Sequence, residues 1–171
     1  MALLLRKIRK SKWYRNPGVP WLPEGDLQSD ALDDLSTRDN QLSVFHVEDD
    51  ESNLRRVIAA MAANCTFLCN IDFALLDQKV IGEIGIEIRG TEGDLPDDHV
   101  NTNWHHHLCE LSASRRMTLA MSIPSRAKIR RIGCKKVLEF VAEAVMAGEI
   151  SRERVKWETE SDQVQLNVLL R

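Results

Sequence analysis

The chain has 171 residues, of which 43% are hydrophobic and 29% charged. That is ordinary globular usage, and it excludes a fully disordered chain, a collagen-like repeat and a coiled-coil rod. With 23 Lys and Arg against 26 Asp and Glu the formal net charge is −3. A uniformly basic nucleic-acid binder is therefore disfavoured, while a local basic patch is not.

The charge is unevenly laid out. Residues 1–16 carry Arg6, Lys7, Arg9, Lys10, Lys12 and Arg15 and no acid. Residues 24–51 carry ten acids against the single cation Arg38. Residues 126–136 are basic again, with Arg126, Lys128, Arg130, Arg131, Lys135 and Lys136. These blocks either neutralise one another within the fold or present one sign to a charged partner.

In chain order, residues 1–23 read as a basic arm, because Asn16-Pro17-Gly18-Val19-Pro20-Trp21-Leu22-Pro23 is too rich in Pro and Gly for regular structure. Trp13, Tyr14, Trp21 and Leu22 are its expected anchors. The remainder, 24–171, reads as a single α+β domain. A short acidic helix is predicted over 26–37, with Leu27, Ala31 and Leu35 at helical spacing and Ser29 as a cap. Residues 41–47 are β-branched and aromatic and read as a buried strand. A helix follows, with Leu54, Val57, Ile58 and Met61 on one apolar face.

Period-two alternation over 66–75 and again over 80–89, on either side of Asp77-Gln78-Lys79, predicts a hairpin. Residues 90–103 form the longest loop-like stretch, which is expected to be functional or mobile. A helix is predicted from Asn103 to Ser122. Pro124-Ser125 is expected to end it and start a second helix, which Gly148 closes with a left-handed cap. The two are expected to pack as an antiparallel pair. Alternation of Val164, Leu166, Val168 and Leu170 predicts a C-terminal hairpin. The fold class is therefore α+β, with antiparallel hairpins packed against an antiparallel helix pair.

No run approaches the roughly 18 apolar residues that span a bilayer. Met1–Leu5 is too short for a signal-peptide core, and its basic residues follow rather than precede it. A cytoplasmic protein without membrane contact is expected. Cys65, Cys69, Cys109 and Cys134 lie in apolar segments and read as reduced thiols acting as small hydrophobes.

Three kinds of site compete. Asp30, Asp33, Asp34, Asp49 and Asp50 are the candidate contacts for a partner protein, in the manner of an antitoxin, immunity protein or accessory subunit. Arg126, Lys128, Arg130, Arg131 and Lys135, read as the first turns of a helix and joined by the basic arm, are the alternative, a phosphate-binding surface. The third is a metal-dependent hydrolase centred on residues 97–110. There, i, i+4 spacing on a helix would pair His106 with Glu110 and His105 with Cys109, and Asp98, with Asp97 or His99, in the preceding loop would add ligands. There is no His-Glu-x-x-His, no Gly-x-Ser-x-Gly, no Walker loop and no Gly-x-Gly-x-x-Gly. The balance leans away from an enzyme and towards a small non-catalytic binding protein with no cofactor. Self-association is left open.

Overall fold

The computed structural model describes residues 2–13, 22, 23 and 26–170. It shows an α+β fold built on a six-stranded sheet: β1 (Leu3–Lys7), β2 (Leu42–Val47), β3 (Ile71–Asp77), β4 (Glu87–Gly90), β5 (His105–Cys109) and β6 (Lys128–Ile132). Their order is β4-β5-β2-β1-β3-β6. β1 pairs antiparallel with β3, Leu3 opposite Asp77 and Lys7 opposite Phe73. β4 pairs antiparallel with β5, Glu87 opposite Cys109 and Gly90 opposite His106. The helices are α1 (Leu54–Ala63), α2 (Gln78–Glu83), α3 (Ala113–Arg126), α4 (Cys134–Met146) and α5 (Glu160–Leu169). Among the described residues no helix is long and apolar enough to cross a membrane.

The chain divides into two compact units, each drawn from three stretches of sequence. The first takes its described residues from Met1–His46, Asp72–Gly90 and His106–Arg130. Its core gathers one face of the sheet. Leu4, Leu42 and Val44, Ala74 and Leu76, and Leu108 come from alternate strand positions, as the two-residue period requires. Over them lie Val80 and Ile81 of α2, Leu119, Ala120 and Ile123 of α3, and Ala31 and Leu35 of a 3-10 helix at Ser29–Leu35. Trp13 completes this core.

The second unit comprises Val47–Ile71, Thr91–His105 and the described part of Arg131–Arg171. Here α1 packs on α4, and α4 on α5. Val57, Ile58 and Met61 of α1, Val137, Val141 and Ala144 of α4, and Leu166 of α5 are buried. The segment after α4 runs back along this pair. Lys156 N–H donates to the Ala63 carbonyl at 2.8 Å, Trp157 Nε1 to the Ala62 carbonyl at 2.9 Å, and Glu158 N–H to the Thr66 carbonyl at 2.8 Å.

Several predicted elements differ. The start of the expected arm is a strand flanked by β2 and β3 on either side, because Leu4 and Leu5 are buried within the sheet. Trp13 is buried as an anchor, while Tyr14 and Trp21 lie outside the described residues. The acidic segment is a 3-10 helix with Gln28, not Ser29, at its N-cap. The hairpin over 66–89 does not form. Asp77 caps α2 instead, accepting from Lys79 N–H at 2.8 Å, and Gly85 closes the helix at φ +74°.

The helix expected from Asn103 begins only at Ala113, where Ser112 Oγ accepts from Arg115 N–H. Residues 105–109 are the strand β5, because β4 supplies the ladder partners. Pro124 sits inside the last turn of α3, and β6 intervenes before α4. α3 and α4 are thus not consecutive, and α1 is the helix that packs on α4. The C-terminal hairpin is the helix α5, where Leu166 is buried and Val164 and Val168 are exposed. Gly148 does cap α4 at φ +69°, with Glu149 N–H donating to the Ala144 carbonyl at 2.9 Å. All four cysteines are free thiols. Cys109 is buried, and Cys65, Cys69 and Cys134 are half-buried.

Candidate functional site

A cleft of about 760 Å³ lies within the second unit. It is lined by Glu48, Asp49, Asp50, Ser52, Asn53, Arg55, Arg56, Trp104 and Glu149. The first five belong to the turn that follows β2. Local bonds shape that turn. Glu48 N–H donates to Asn53 Oδ1 at 3.0 Å, Ser52 N–H to Asp50 Oδ1 at 3.0 Å, and Glu51 N–H to the Glu48 carbonyl at 2.9 Å. Glu51 holds φ at +58° within it. Arg55 and Arg56 follow in the first turn of α1.

Both arginines are tied to carboxylates. Arg56 forms a fork with Asp97, Nε to Oδ2 at 2.6 Å and Nη2 to Oδ1 at 2.9 Å. Asp97 is fully buried and also accepts from the backbone N–H groups of His99 and Val100. Donation to the Asp97 carboxylate raises the Arg56 pKa. Arg55 Nη2 reaches both oxygens of Glu149, at 2.9 and 3.1 Å, and Arg56 Nη1 lies 3.7 Å from Glu149. Trp104 stands beside them, its ring 5.9 Å from the Arg56 guanidinium and in edge contact with His99.

The loop expected to be functional or mobile is what holds this wall. Asn101 donates to the Leu95 carbonyl and accepts from Leu95 N–H, a closed pair of bonds. A Cβ at Gly93 would come within 2.7 Å of Asn101 Oδ1 and 3.1 Å of His105 Cγ, so only glycine fits there. Residues Val100–Trp104 form a single wide helical turn that delivers Trp104 to the cleft.

Glu48, Asp49, Asp50 and Glu149 against Arg55 and Arg56 give the lining a negative formal charge. Glu48, Asp49 and Asp50 are exposed. The Ser52 backbone N–H, followed by the Ser52 side chain, holds the Asp50 carboxyl below its ordinary pKa, so it stays ionised. Among the described lining residues there is no histidine, cysteine or lysine. The arrangement is suited to receiving a cation and its attached chain.

The five acids proposed from sequence divide. Asp49 and Asp50 lie on the cleft. Asp30, Asp33 and Asp34 lie in the first unit, against the basic N-terminal residues. Lys12 Nζ donates to the Asp30 carbonyl at 2.8 Å and pairs with Asp33 at 3.1 Å. Asp34 Oδ2 accepts from Arg9 N–H at 2.7 Å and from Trp13 Nε1 at 2.8 Å. The Asp34 carbonyl takes two donors from Arg6. Burial lowers the Arg6 pKa, and the Asp34 charge opposes that shift.

The basic set is not on one helix. Arg126 ends α3 and pairs with Glu83 at 2.7 Å, which lowers the Glu83 pKa. Lys128, Arg130 and Arg131 are on β6, and Lys135 is in the first turn of α4.

Asp98, His105, His106 and Glu110 are not assembled. Asp98 pairs with Arg154 at 2.7 Å. The His105 ring bonds Thr91 at 2.9 Å. The strand period sends His106 to the opposite face, where its ring lies 6.1 Å from that of His46. Glu110 is exposed, with φ +54°. Among the described residues no group of three or more His, Cys, Asp or Glu side chains is placed to hold a metal.

The residues that sequence reasoning passed over are Arg55, Arg56, Trp104 and Glu149, and Asp97 was weighed only as a metal ligand. A usable signal was present in part, since Arg55-Arg56 follows four acids within the same short turn. No protein-family model, curated protein or solved structure matches this chain.

Proposed function

We propose that the chain is a small non-catalytic module that binds a partner protein, of the antitoxin, immunity or accessory-subunit kind, inside the cell. The docking point in this reading is the cleft of the second unit, and the partner contributes a segment bearing Lys or Arg. One observation carries the proposal. Glu48, Asp49 and Asp50 stand exposed around a cleft of about 760 Å³ whose own arginines already have carboxylate partners. A basic side chain entering there meets the ionised Asp50 and, in Trp104, an aromatic ring that supports cation binding.

The test is a capture experiment from native lysate with the untagged N-terminus free, with and without nuclease. The expected result is a nuclease-resistant protein retained by the wild type and lost by Asp49→Lys/Asp50→Lys. Placing like charges against a basic segment costs several kcal/mol, so the affinity should fall at least about tenfold. Equal capture by the rim variant would remove the cleft from the interface. The alternative is nucleic-acid binding by Lys128, Arg130, Arg131 and Lys135, supported by the run of basic residues through β6 into α4. It predicts capture that nuclease abolishes and that falls steeply with salt.

A further inference from the structure

Strand β4 is the end strand of the sheet, and β5 is its neighbour. The phase of their ladder is set by the bond from Thr91 N–H to the His105 carbonyl at 3.1 Å, one residue beyond β4 in the same register. In an antiparallel ladder, hydrogen-bonded and non-hydrogen-bonded pairs alternate. Glu87, Arg89 and Thr91 therefore turn their backbone groups towards β5, and Ile88 and Gly90 turn theirs outwards. Glu87 and Arg89 share one face of the strand, are 49% and 56% exposed, and bond to each other at 2.9 Å. Ile88 points the other way, against the core of the first unit.

We propose that β4 pairs antiparallel with the β4 of a second copy of this chain, about a two-fold axis through Ile88. In that register Ile88 exchanges both backbone hydrogen bonds with its equivalent. Glu87 then faces Arg89 of the second copy, and Arg89 faces Glu87, in the closer, non-hydrogen-bonded class of pair. An isologous contact must be self-complementary, and Glu-Ile-Arg read against itself in reverse is. The opposite edge of the sheet is not. β6 reads Lys-Ile-Arg-Arg-Ile, with no acid, and its own copy would set Arg130 against Arg130. The sheet thus has one edge that repels itself and one that matches itself. This association does not depend on the acidic cleft, which lies in the other unit.

The contact is a short ladder, well below a standard interface in area, so the dimer should be weak and concentration-dependent. The experiment is sedimentation equilibrium of the full chain over a wide concentration range, with circular dichroism to confirm folding of each variant. The wild type should approach twice the monomer mass at high concentration. Glu87→Lys alone and Arg89→Glu alone should each stay monomeric. A one-to-one mixture of the two variants should regain the doubled mass, because their β4 strands then carry opposite charges. The intrastrand ion pair cannot explain that rescue, since each variant lacks it. A wild type monomeric throughout, a dimer surviving both single substitutions, or a mixture that stays monomeric would each overturn the proposal.

Discussion

The acidic block of residues 24–51 supplies two regions that differ in what they do with their charge. Around Asp34 the acids act as scaffolding. One carboxylate oxygen takes the indole of Trp13 and the backbone of Arg9, and the adjacent carbonyl takes the Arg6 fork. Around Asp49 and Asp50 the acids stand exposed on a cleft. Asp34 is half-buried and its carboxylate is bonded inward, whereas Asp49 and Asp50, some fifteen positions on, are exposed as Asp30 and Asp33 are. The difference comes from what lies opposite. The 3-10 helix meets the basic N-terminal residues, whereas the β2–α1 turn is followed by arginines that Asp97 and Glu149 hold. Acid count alone therefore cannot nominate an interface.

The comparison is broken most severely through the arginine clamp. Asp97→Ala removes a fully buried carboxylate that satisfies Arg56 and two backbone N–H groups. Breaking such a pair from one side should lower stability by about 3 kcal/mol, towards the low end because Arg56 retains Glu149 nearby and is partly exposed. Urea unfolding measures it. A loss below about 1 kcal/mol would mean that the clamp does not hold the loop. Next comes Asp34→Ala, which strands the indole N–H of a Trp13 that is 1% exposed. The expected cost is about 2 kcal/mol, with no change in partner capture. Loss of capture without loss of stability would reverse the assignment of scaffold and rim.

These long-range pairs are also the part of the molecule that was hardest to read from sequence. Arg55 and Glu149 are 94 positions apart, and Arg56 and Asp97 are 41 apart. No local period connects them. Elements defined by their own pattern were legible. Leu54, Val57, Ile58 and Met61 announced α1, the β-branched run announced β2, and Gly148 announced the end of α4.

Elements defined by a distant partner were not. The strand expected over 66–75 is present as β3, but it is buried on both faces and its partner β1 lay in what looked like an irregular basic arm, so the pairing was not legible. The alternation over 80–89 mimicked a strand although Asp77 supplied a helix cap just before it. His105–Cys109 fitted a helical stripe as well as a strand until β4 decided between them. Of the acidic candidates, Asp49 and Asp50 line the cleft, while Asp33 and Asp34 meet basic N-terminal residues that the local sequence around them does not reveal.

A smaller effect sharpens the contrast by moving the wall of the cleft rather than its charge. Gly93→Ala would force Asn101 away from the Leu95 backbone or His105 from its place, at about 1–2 kcal/mol. Because the same loop carries Asp97 and Trp104, partner capture should weaken along with stability. Thermal unfolding and capture measured on one preparation would separate this from a purely surface effect. A variant as stable as the wild type would show that the loop has room to shift.

The smallest effect on stability is expected where the effect on binding is largest. Asp49→Lys/Asp50→Lys changes exposed side chains and should leave the unfolding transition close to that of the wild type, while capture of a basic partner is lost. The pH dependence follows from the turn itself. Ser52 holds the Asp50 carboxyl below its ordinary value, so its folded-state pKa lies below its unfolded one. Its contribution is therefore complete above the ordinary carboxylate pKa and is lost only as pH falls through the depressed value. Partner affinity at the cleft should stay level through the neutral range and decline only as pH falls through the depressed Asp50 value. Replacing Ser52 by Pro removes the N–H that depresses the pKa, and the decline should then begin at higher pH. An affinity that already falls between pH 7 and 6 would point to a histidine on the partner's side of the contact, since there is no histidine among the described residues lining this cleft.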